Sequence, residues 1–201
     1  MLVLGNIKKV FVGGLMLGSL ALTGCLTDDD GEEEETPPKQ ELVSSKNVTV
    51  GAQANNDLGS FIDLDTYTVL KQGAAEAASG TIDLIFAYSG TANSSSIYSP
   101  HAAKAGIAGG LGLDIAQDLA TANTTELRTV DASKFDAVTT VAGLDSLYDA
   151  GVAASPEGRL TLSNGFAFGA KTTGGKIVGM KITSVTTSTT GQAVIAAKAK
   201  W

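Results

Sequence analysis

Three alternating apolar runs at the end of the chain constrain the fold more than any other feature. They are "GFAFGAK" (165–171), "GKIVGMKITSV" (175–185) and "QAVIAAKAKW" (192–201), separated by the turn-forming segments "TTGG" and "TTSTTG". Alternation places every second side chain on the same face of a strand. One face carries Val178, Met180 and Ile182, and then Ile195, Ala197, Ala199 and Trp201. The runs predict an antiparallel three-strand meander whose other face, with Lys198 and Lys200, lies in water.

Shorter runs before the meander complete the predicted fold class. "NVTVGAQ" (47–53), "SFIDLDT" (60–66) and "TIDLIFAYS" (81–89) predict strands, the last with Ile82, Leu84, Phe86 and Tyr88 on one face. Short helices are expected in "LKQGAAEAASG" (70–80), "GLDIAQDLATA" (112–122) and "DASKFDAV" (131–138), the last capped by Asp131. These helices are too few and short for a doubly wound α/β sheet. We predict a mainly β fold (β-rich α+β), an antiparallel sheet or sandwich with a few short helices.

Length and charge limit the function classes. Of the 201 residues, 43–201 are expected to form a single β-rich domain, which suits the low aromatic content of 5% and the many slim side chains. The net charge of −7 is concentrated in residues 26–40, which hold seven acids and one lysine. Residues 41–201 hold the remaining 14 acids against 11 bases. This part has no basic surplus to neutralise phosphates, which argues against a nucleic-acid partner.

The first 24 residues have the three parts of a signal peptide. Lys8 and Lys9 supply positive charge, "VFVGGLMLGSLAL" supplies a short apolar region, and small residues follow. The apolar stretch from Val10 to Gly24 is about 15 residues, whereas a transmembrane helix needs about 20. Residues 1–24 are therefore predicted to be a signal peptide rather than a membrane span.

The chain's single cysteine follows this segment in "LTGC", which closely resembles the bacterial lipobox. Leu22, Thr23 and Gly24 match the three positions before the modified residue, and Cys25 matches that residue. The resemblance implies that the Cys25 thiol takes a diacylglycerol, that cleavage occurs just before it, and that the new amino terminus is acylated. Two or more acyl chains give stable anchoring, whereas one gives marginal binding. The alternative is a thiol left over beside a secretory cleavage site.

Residues 25–42 are predicted to form an acidic tether that ends in the two prolines of "TPPKQ". In the sorting rules of similar bacterial lipoproteins, Asp after the cysteine favours the inner membrane. Leu26 stands there instead, so the resemblance implies an outer-membrane location. The acids from Asp28 to Glu35 also resemble an export signal for the cell surface, although Leu26 and Thr27 precede them. The acids serve as a solvated spacer, as an export signal, or as both.

The strand layout resembles that of HmuY-like lipoproteins of Gram-negative anaerobes. The similar stretches are "GSFIDLDTYTVL", "IDLIFAYSG" and "YSP", and the closing "FAFGAKTTGGKIVGMKITSV" with "GQAVIAAKAKW". The resemblance implies an anchored, mostly β protein, and some members bind haem through paired axial side chains, typically two histidines. This chain has only His101, and Met180 sits in a core pattern with Val178 and Ile182. No haem ligand is carried over, and no cofactor is expected.

Catalytic chemistry finds little support in the remaining residues. Ser99 and His101 in "YSPHAAK" suggest a nucleophile and its base, but residues two apart around a proline rarely bring these groups together, and no G-x-S-x-G elbow is present. An ordinary exposed loop histidine is the favoured interpretation. "AGIAGGLGLDIAQDL" is glycine-rich but lacks phosphate-loop spacing, so Ala102–Leu113 is expected to be a flexible surface loop.

Three acids on two predicted strands form a candidate cation site. Asp63, Asp65 and Asp83 could converge, and carboxylates suit calcium. The alternative follows from the alternation, which places these residues on the wet faces of the strands. No EF-hand spacing supports the metal hypothesis, so no metal site is predicted.

These observations favour a non-catalytic lipoprotein, anchored to the outer membrane and facing the surface where export operates. We expect either a ligand-binding module of unknown ligand or a structural or adhesive envelope subunit without a small-molecule ligand. Tyr67, Tyr88 and Tyr98 are candidate contact residues, because tyrosine is amphipathic and frequent at interfaces. Trp201 is either a plug of the core or a platform for a ligand, and the plug is favoured.

Overall fold

The computed structural model describes residues 41–106 and 114–201. They belong to one compact unit that runs from Pro38 to Trp201. The predicted signal peptide, the lipobox residues Leu22, Thr23, Gly24 and Cys25, and nearly all of the predicted tether lie outside the described residues.

Strands dominate the described residues. In chain order they are β1 (Ser44–Gly51), β2 (Phe61–Asp63), β3 (Thr68–Leu70), β4 (Leu84–Ser89), β5 (Ser94–Tyr98), β6 (Glu126–Thr129), β7 (Val152–Ala153), β8 (Arg159–Thr161), β9 (Ala167–Lys171), β10 (Ile177–Val185) and β11 (Gln192–Ala199). The helices are α1 (Gln72–Ala77), α2 (Pro100–Ala105), α3 (Asp114–Gln117), α4 (Ala132–Ala137) and α5 (Val141–Asp149), with one 3-10 turn over Ser79–Thr81.

The strands form two antiparallel sheets. The larger has the order β1-β11-β10-β9-β6-β7, and the smaller has the order β3-β2-β4-β5-β8. Adjacent strands β9, β10 and β11 pair antiparallel, so the predicted C-terminal meander is confirmed. The predicted fold class, mainly β with an antiparallel sandwich and short helices, is confirmed as well.

The principal core lies between the two sheets and uses one face of most strands. Ile62, Leu84 and Phe86 enter it from the smaller sheet, and Val178 and Met180 enter it from the larger one. All five are fully buried. The alternation in the sequence therefore identified the inward face of β2, β4 and β10, because a side chain one position away would point out of the sandwich.

The opposite face of each sheet is covered by helices. Helices α1, α2 and α3 pack on the smaller sheet around Phe61, Ile85 and Tyr98. Helices α4 and α5 pack on the larger sheet through Phe135 and Leu144. The prediction of a wet outer face for the meander was therefore wrong over most of its length. Helices α4 and α5 cover that face, and the alternation within the three strands does not indicate them.

Lys198 shows how the outer face differs from the prediction. Its ammonium donates to the carbonyl oxygens of Phe135, Asp136 and Val138, each at 2.9 Å. Phe135 and Asp136 are in the last turn of α4 and Val138 is its C-cap residue, where helix carbonyls have few backbone partners. The lysine expected to point into water instead caps a helix.

Two glycines make room for helix α5. Gly169 and Gly179 lie directly opposite each other on β9 and β10. A Cβ on Gly169 would stand 2.7 Å from Cδ2 of Tyr148, and a Cβ on Gly179 would stand 2.7 Å from Cδ1 of Leu144. Because neither glycine has a side chain, the two residues form a floor against which Tyr148 and Leu144 of α5 pack.

Predicted helices occur at shorter lengths, and two helices had no sequence prediction. Asp131 caps α4 as expected, because its Oδ1 accepts from the N–H groups of Ser133 and Lys134. Helices α2 and α5 were not predicted. Helix α2 begins at Pro100, two residues before the expected flexible loop Ala102–Leu113, and extends into that loop as far as Ala105, where Gly106 caps it with a positive φ of 66°. Residues 107–113 lie outside the described residues.

Candidate functional site

A groove lies where β10 begins, β11 ends and α5 starts. Its volume is about 520 Å³. The apolar side chains on its wall are Val141, Leu144, Ile177 and Trp201, the charged ones are Asp145, Lys176 and Lys200, and Gly175 supplies backbone. We refer to it as the Trp201 groove. Two other cavities in the described part of the chain have volumes of about 150 and 130 Å³.

Trp201 closes the end of the sandwich beside this groove. Its ring centroid lies 4.9 Å from that of Tyr67, and its indole N–H donates to the carbonyl oxygen of Ser44 at 3.2 Å. The ammonium groups of Lys46 and Lys176 lie 4.3 and 4.5 Å from the ring centroid, a cation–π arrangement. The residue is half-buried and packs against the principal core. These contacts support the plug interpretation and leave one edge of the ring on the groove.

Lys176 is fixed by the turn between β2 and β3. Its Nζ donates to the carbonyl oxygens of Leu64 and Asp65, each at 3.0 Å, and lies 3.9 Å from the Asp65 carboxylate. The lysine side chain is 24% exposed. Its ammonium reaches from the larger sheet to the smaller one and joins them, and Lys176 is also one of the residues that line the groove.

The acids of the candidate cation site hold this same turn together. Asp63 Oδ1 accepts from the N–H groups of Asp65 and Thr66, and Asp83 Oδ2 accepts from the Leu64 N–H at 2.9 Å. Asp63 and Asp83 are buried, so the wet-face interpretation was wrong for both. Among the described residues, no group of three or more acidic, histidine or cysteine side chains could hold a metal ion.

Burial changes the ionisation of Asp83. Loss of hydration raises the pKa of its carboxyl to about 6, the N–H of Leu64 opposes that rise, and the charges of Asp65 and Asp63 add to it. Burial likewise raises the pKa of Tyr67, whose hydroxyl is buried without a hydrogen-bond partner among the described residues. Both residues border the turn that Lys176 clamps.

Ser99 and His101 make no hydrogen bond to each other among the described residues. Ser99 Oγ accepts from the N–H of Ala102 at 3.2 Å and caps α2, while Pro100 occupies the first turn. His101 is exposed on that helix, beside the cavity of about 130 Å³. The serine therefore has a structural role, and His101 is away from the residues that line the Trp201 groove.

The three candidate tyrosines occupy different environments. Tyr98 is fully buried under the helices of the smaller sheet, and Tyr67 is 8% exposed. Only Tyr88 is half-exposed, and its hydroxyl donates to Asn93 Oδ1 at 2.9 Å. Met180 is fully buried in the core, where a ligand has no access to its sulfur.

Sequence reasoning missed the groove itself. One signal was present, because Lys176 is in phase with Val178 and Met180, and Lys46 is in phase with Val48. A lysine on the buried face of a strand needs a local acceptor, so its position marks a polar feature at the strand end. The contribution of α5 had no such signal, since that helix was not predicted.

No helix in the described part of the chain combines the length and apolar character needed to cross a membrane. Neither the scan against protein-family models nor the search of curated proteins finds a match.

A solved structure with a similar fold is the crystal structure, at 2.00 Å resolution, of a DUF4466 family protein from Parabacteroides merdae. The TM-score is 0.58 and the sequence identity 14%, over 79% of this chain and 54% of that chain. This chain therefore spans about half the length of that protein. At this identity the likeness shows the fold alone, and the resemblance to HmuY-like proteins stays a prediction. The chain shares its sandwich fold with a DUF4466 family protein.

Proposed function

We propose that this chain is a non-catalytic, lipid-anchored binding protein of the outer membrane that holds a small molecule in the Trp201 groove. Anchoring through Cys25 is supported by the "LTGC" motif, and the outer-membrane location by Leu26 after it. The binding role is supported by the groove at the end of the sandwich.

The size and lining of the groove carry the proposal. Small-molecule sites usually have volumes of about 300–1,000 Å³ and combine an apolar wall with a few fixed polar groups. At about 520 Å³ the Trp201 groove falls in this range, whereas the other two cavities do not. Its wall is apolar, and Lys176 is held in place by two carbonyl oxygens.

A binding role fits the groove better than a catalytic one. Lys176 and Lys200 each have a carboxylate partner, Asp65 and Glu41 respectively. A general base, a nucleophile and an anion-stabilising group would have to meet in one place for acyl or glycosyl transfer. His101 and Ser99, the side chains that suggested such chemistry, line a different cavity.

Filling the groove tests the proposal. Val141 is half-buried at the start of α5, and we expect Val141→Phe to occupy part of the groove and abolish binding of whatever ligand a thermal-shift screen identifies. Val152→Phe is the matched control, because Val152 is 70% exposed on β7 and does not line the groove. Loss of binding in both variants, or in neither, contradicts the groove as the binding site.

A structural envelope subunit is the second candidate, and the edge strand β1 favours it. β1 is eight residues long, pairs only with β11 among the described strands, and exposes Ser44 to Asn47. Open edges accept strands from other chains. Co-purification with envelope proteins, together with no small-molecule stabilisation, would favour this alternative.

A further inference from the structure

We infer that the ligand of the Trp201 groove is an amphiphile whose anionic group is received by Lys176 and whose apolar body lies against Val141, Leu144 and Ile177. The inference rests on the proposed function and names the ligand class of the same site.

Backbone oxygens accept two of the three hydrogen-bond donors of Lys176. An ammonium group has three N–H donors. Two of them are used by the carbonyl oxygens of Leu64 and Asp65, and the nearest carboxylate oxygen in the described part of the chain, on Asp65, is 3.9 Å away, beyond hydrogen-bond distance. The third donor has no oxygen acceptor among the described residues, and the Trp201 ring centroid lies 4.5 Å from Nζ. Lys176 and Trp201 both line the groove, so an anion there would meet a charge whose position is already fixed, which lowers the entropic cost of receiving it.

The existing carboxylate partners are exchangeable. The Asp65 side chain is 72% exposed, and Glu41, which pairs with Lys200, is 56% exposed. Exposed ion pairs of this kind contribute little to stability, because water screens them and the side chains lose entropy. A ligand anion can compete with them, and Lys200 adds a second positive charge at the same opening.

The apolar part of the site accounts for the rest of the ligand. Leu144 is 2% exposed and belongs to the cluster between α5 and the larger sheet, while Val141 and Ile177 are half-buried around it. A purely ionic ligand would leave the exposed parts of Val141 and Ile177 against water and would gain nothing from them. Asp145 is the one carboxylate on the described lining, against two lysines, so the balance of charge favours an anion.

The test uses three fluorescent probes with the same apolar body: pyrenebutyrate, neutral pyrenebutanol and cationic pyrenebutylamine. Trp201 is the chain's single tryptophan, so energy transfer from it to pyrene reports binding directly. We expect pyrenebutyrate to bind at least about tenfold more tightly than pyrenebutanol, since a hydrogen bond to a charged group is stronger than one between neutral groups. Pyrenebutylamine should bind most weakly, and added salt should reduce the difference.

Variants of the full chain separate the charge from the fold. Lys176→Gln and Lys200→Met should each reduce the preference for pyrenebutyrate over pyrenebutanol, and Lys171→Met, a lysine on β9 that does not line the groove, should leave it unchanged. Lys176→Gln also loosens the β2–β3 turn, so a thermal melt accompanies it. Lys200 is on the exposed end of the chain and tests the charge without that loss.

Two outcomes overturn different claims. Equal binding of the butyrate and the butanol, sensitive to Val141→Phe, overturns the anionic ligand and leaves the groove as a binding site. No energy transfer with any of the three probes overturns the inference and counts against the proposed function as well.

Discussion

At the residue scale, buried charges are used to hold turns and helix ends. Asp83 holds the Leu64 N–H from one side of the β2–β3 turn while Lys176 holds the carbonyl oxygens of Leu64 and Asp65 from the other. Lys198 does the same for the end of α4. Burial removes water from each of these charges, which costs free energy. Hydrogen bonds to backbone groups at the turn and at the helix end offset part of that cost. Short loops of small residues are ordered in this way without a large aromatic core.

Asp83 makes the stability depend on pH. Burial raises the pKa of Asp83 to about 6, above the usual value of about 3.9 for the unfolded chain. Between about pH 4 and pH 6 the folded protein therefore binds more protons than the unfolded chain, so the contribution of this group to the free energy of unfolding falls as the pH rises. Asp83→Asn keeps an oxygen acceptor for Leu64 and removes the buried charge. We expect the variant to be more stable than the parent by about 1–2 kcal/mol at pH 8 and nearly equal at pH 4.

Urea unfolding at a series of pH values measures this difference. Asp118→Asn is the matched control, because Asp118 is exposed and the chemical change is the same. A difference between Asp83→Asn and the parent that does not vary between pH 4 and pH 8 would show that Asp83 is not titrating in that range.

At the element scale, the packing of α4 and α5 against the larger sheet depends on two glycines, which have no side chain. The strands β9 and β10 contribute Gly169 and Gly179 to the floor, and Tyr148 and Leu144 of α5 occupy the space. Interiors are close-packed, so an added methyl group must displace a neighbour. Glycine in a strand costs backbone entropy, and here the helix contact offsets it.

Gly179→Ala tests this packing. The new Cβ would lie 2.7 Å from Leu144 Cδ1 and 3.3 Å from the Phe135 ring, so we expect a loss of about 1–3 kcal/mol in the free energy of unfolding. Gly73→Ala is the matched control, since its Cβ would meet nothing within 4 Å inside α1. That change should be neutral or stabilise by up to about 1 kcal/mol. Chemical denaturation measures the free energy of unfolding of both variants. Equal changes in the two variants would show that the floor formed by Gly169 and Gly179 does not constrain α5.

The same elements explain which features could be predicted from the sequence. Alternation identified β2, β4 and the meander because one face of each is buried between the sheets, as with Ile62 and Met180. Helix α5 has only nine residues and gave no clear helical pattern in the sequence. It depends on tertiary packing, because Leu144 is buried where Gly179 leaves space for it. The groove needed that helix, so it could not be found from the strands alone, although the in-phase Lys176 pointed to a polar strand end.

At the scale of the whole molecule, the proposed membrane anchor and the proposed ligand site lie in separate parts of the sequence. The groove includes Lys200, whose partner Glu41 is at the beginning of the described residues, 16 positions after Cys25. The proposed anchor and the proposed site are thus linked by the acidic segment. Residues 41–201 hold 14 acids against 11 bases, so this part gains nothing from anionic headgroups. The proposed attachment then depends on acyl chains, each buried methylene of which contributes about 0.8 kcal/mol.

Cys25→Ala should therefore move the protein from the membrane fraction to the soluble fraction, because it removes the thiol that would carry the diacylglycerol. Thr27→Ala is the matched control, since it changes a neighbouring residue and keeps the cysteine. Fractionation after a high-salt wash is the measurement, with labelled palmitate incorporation as an independent readout of acylation. A Cys25→Ala protein that still sediments with membranes and resists the wash would exclude the acyl chains as the source of attachment, and would require the binding energy to come from the chain itself. The net negative charge of the described part argues against that source, so the two readouts should change together.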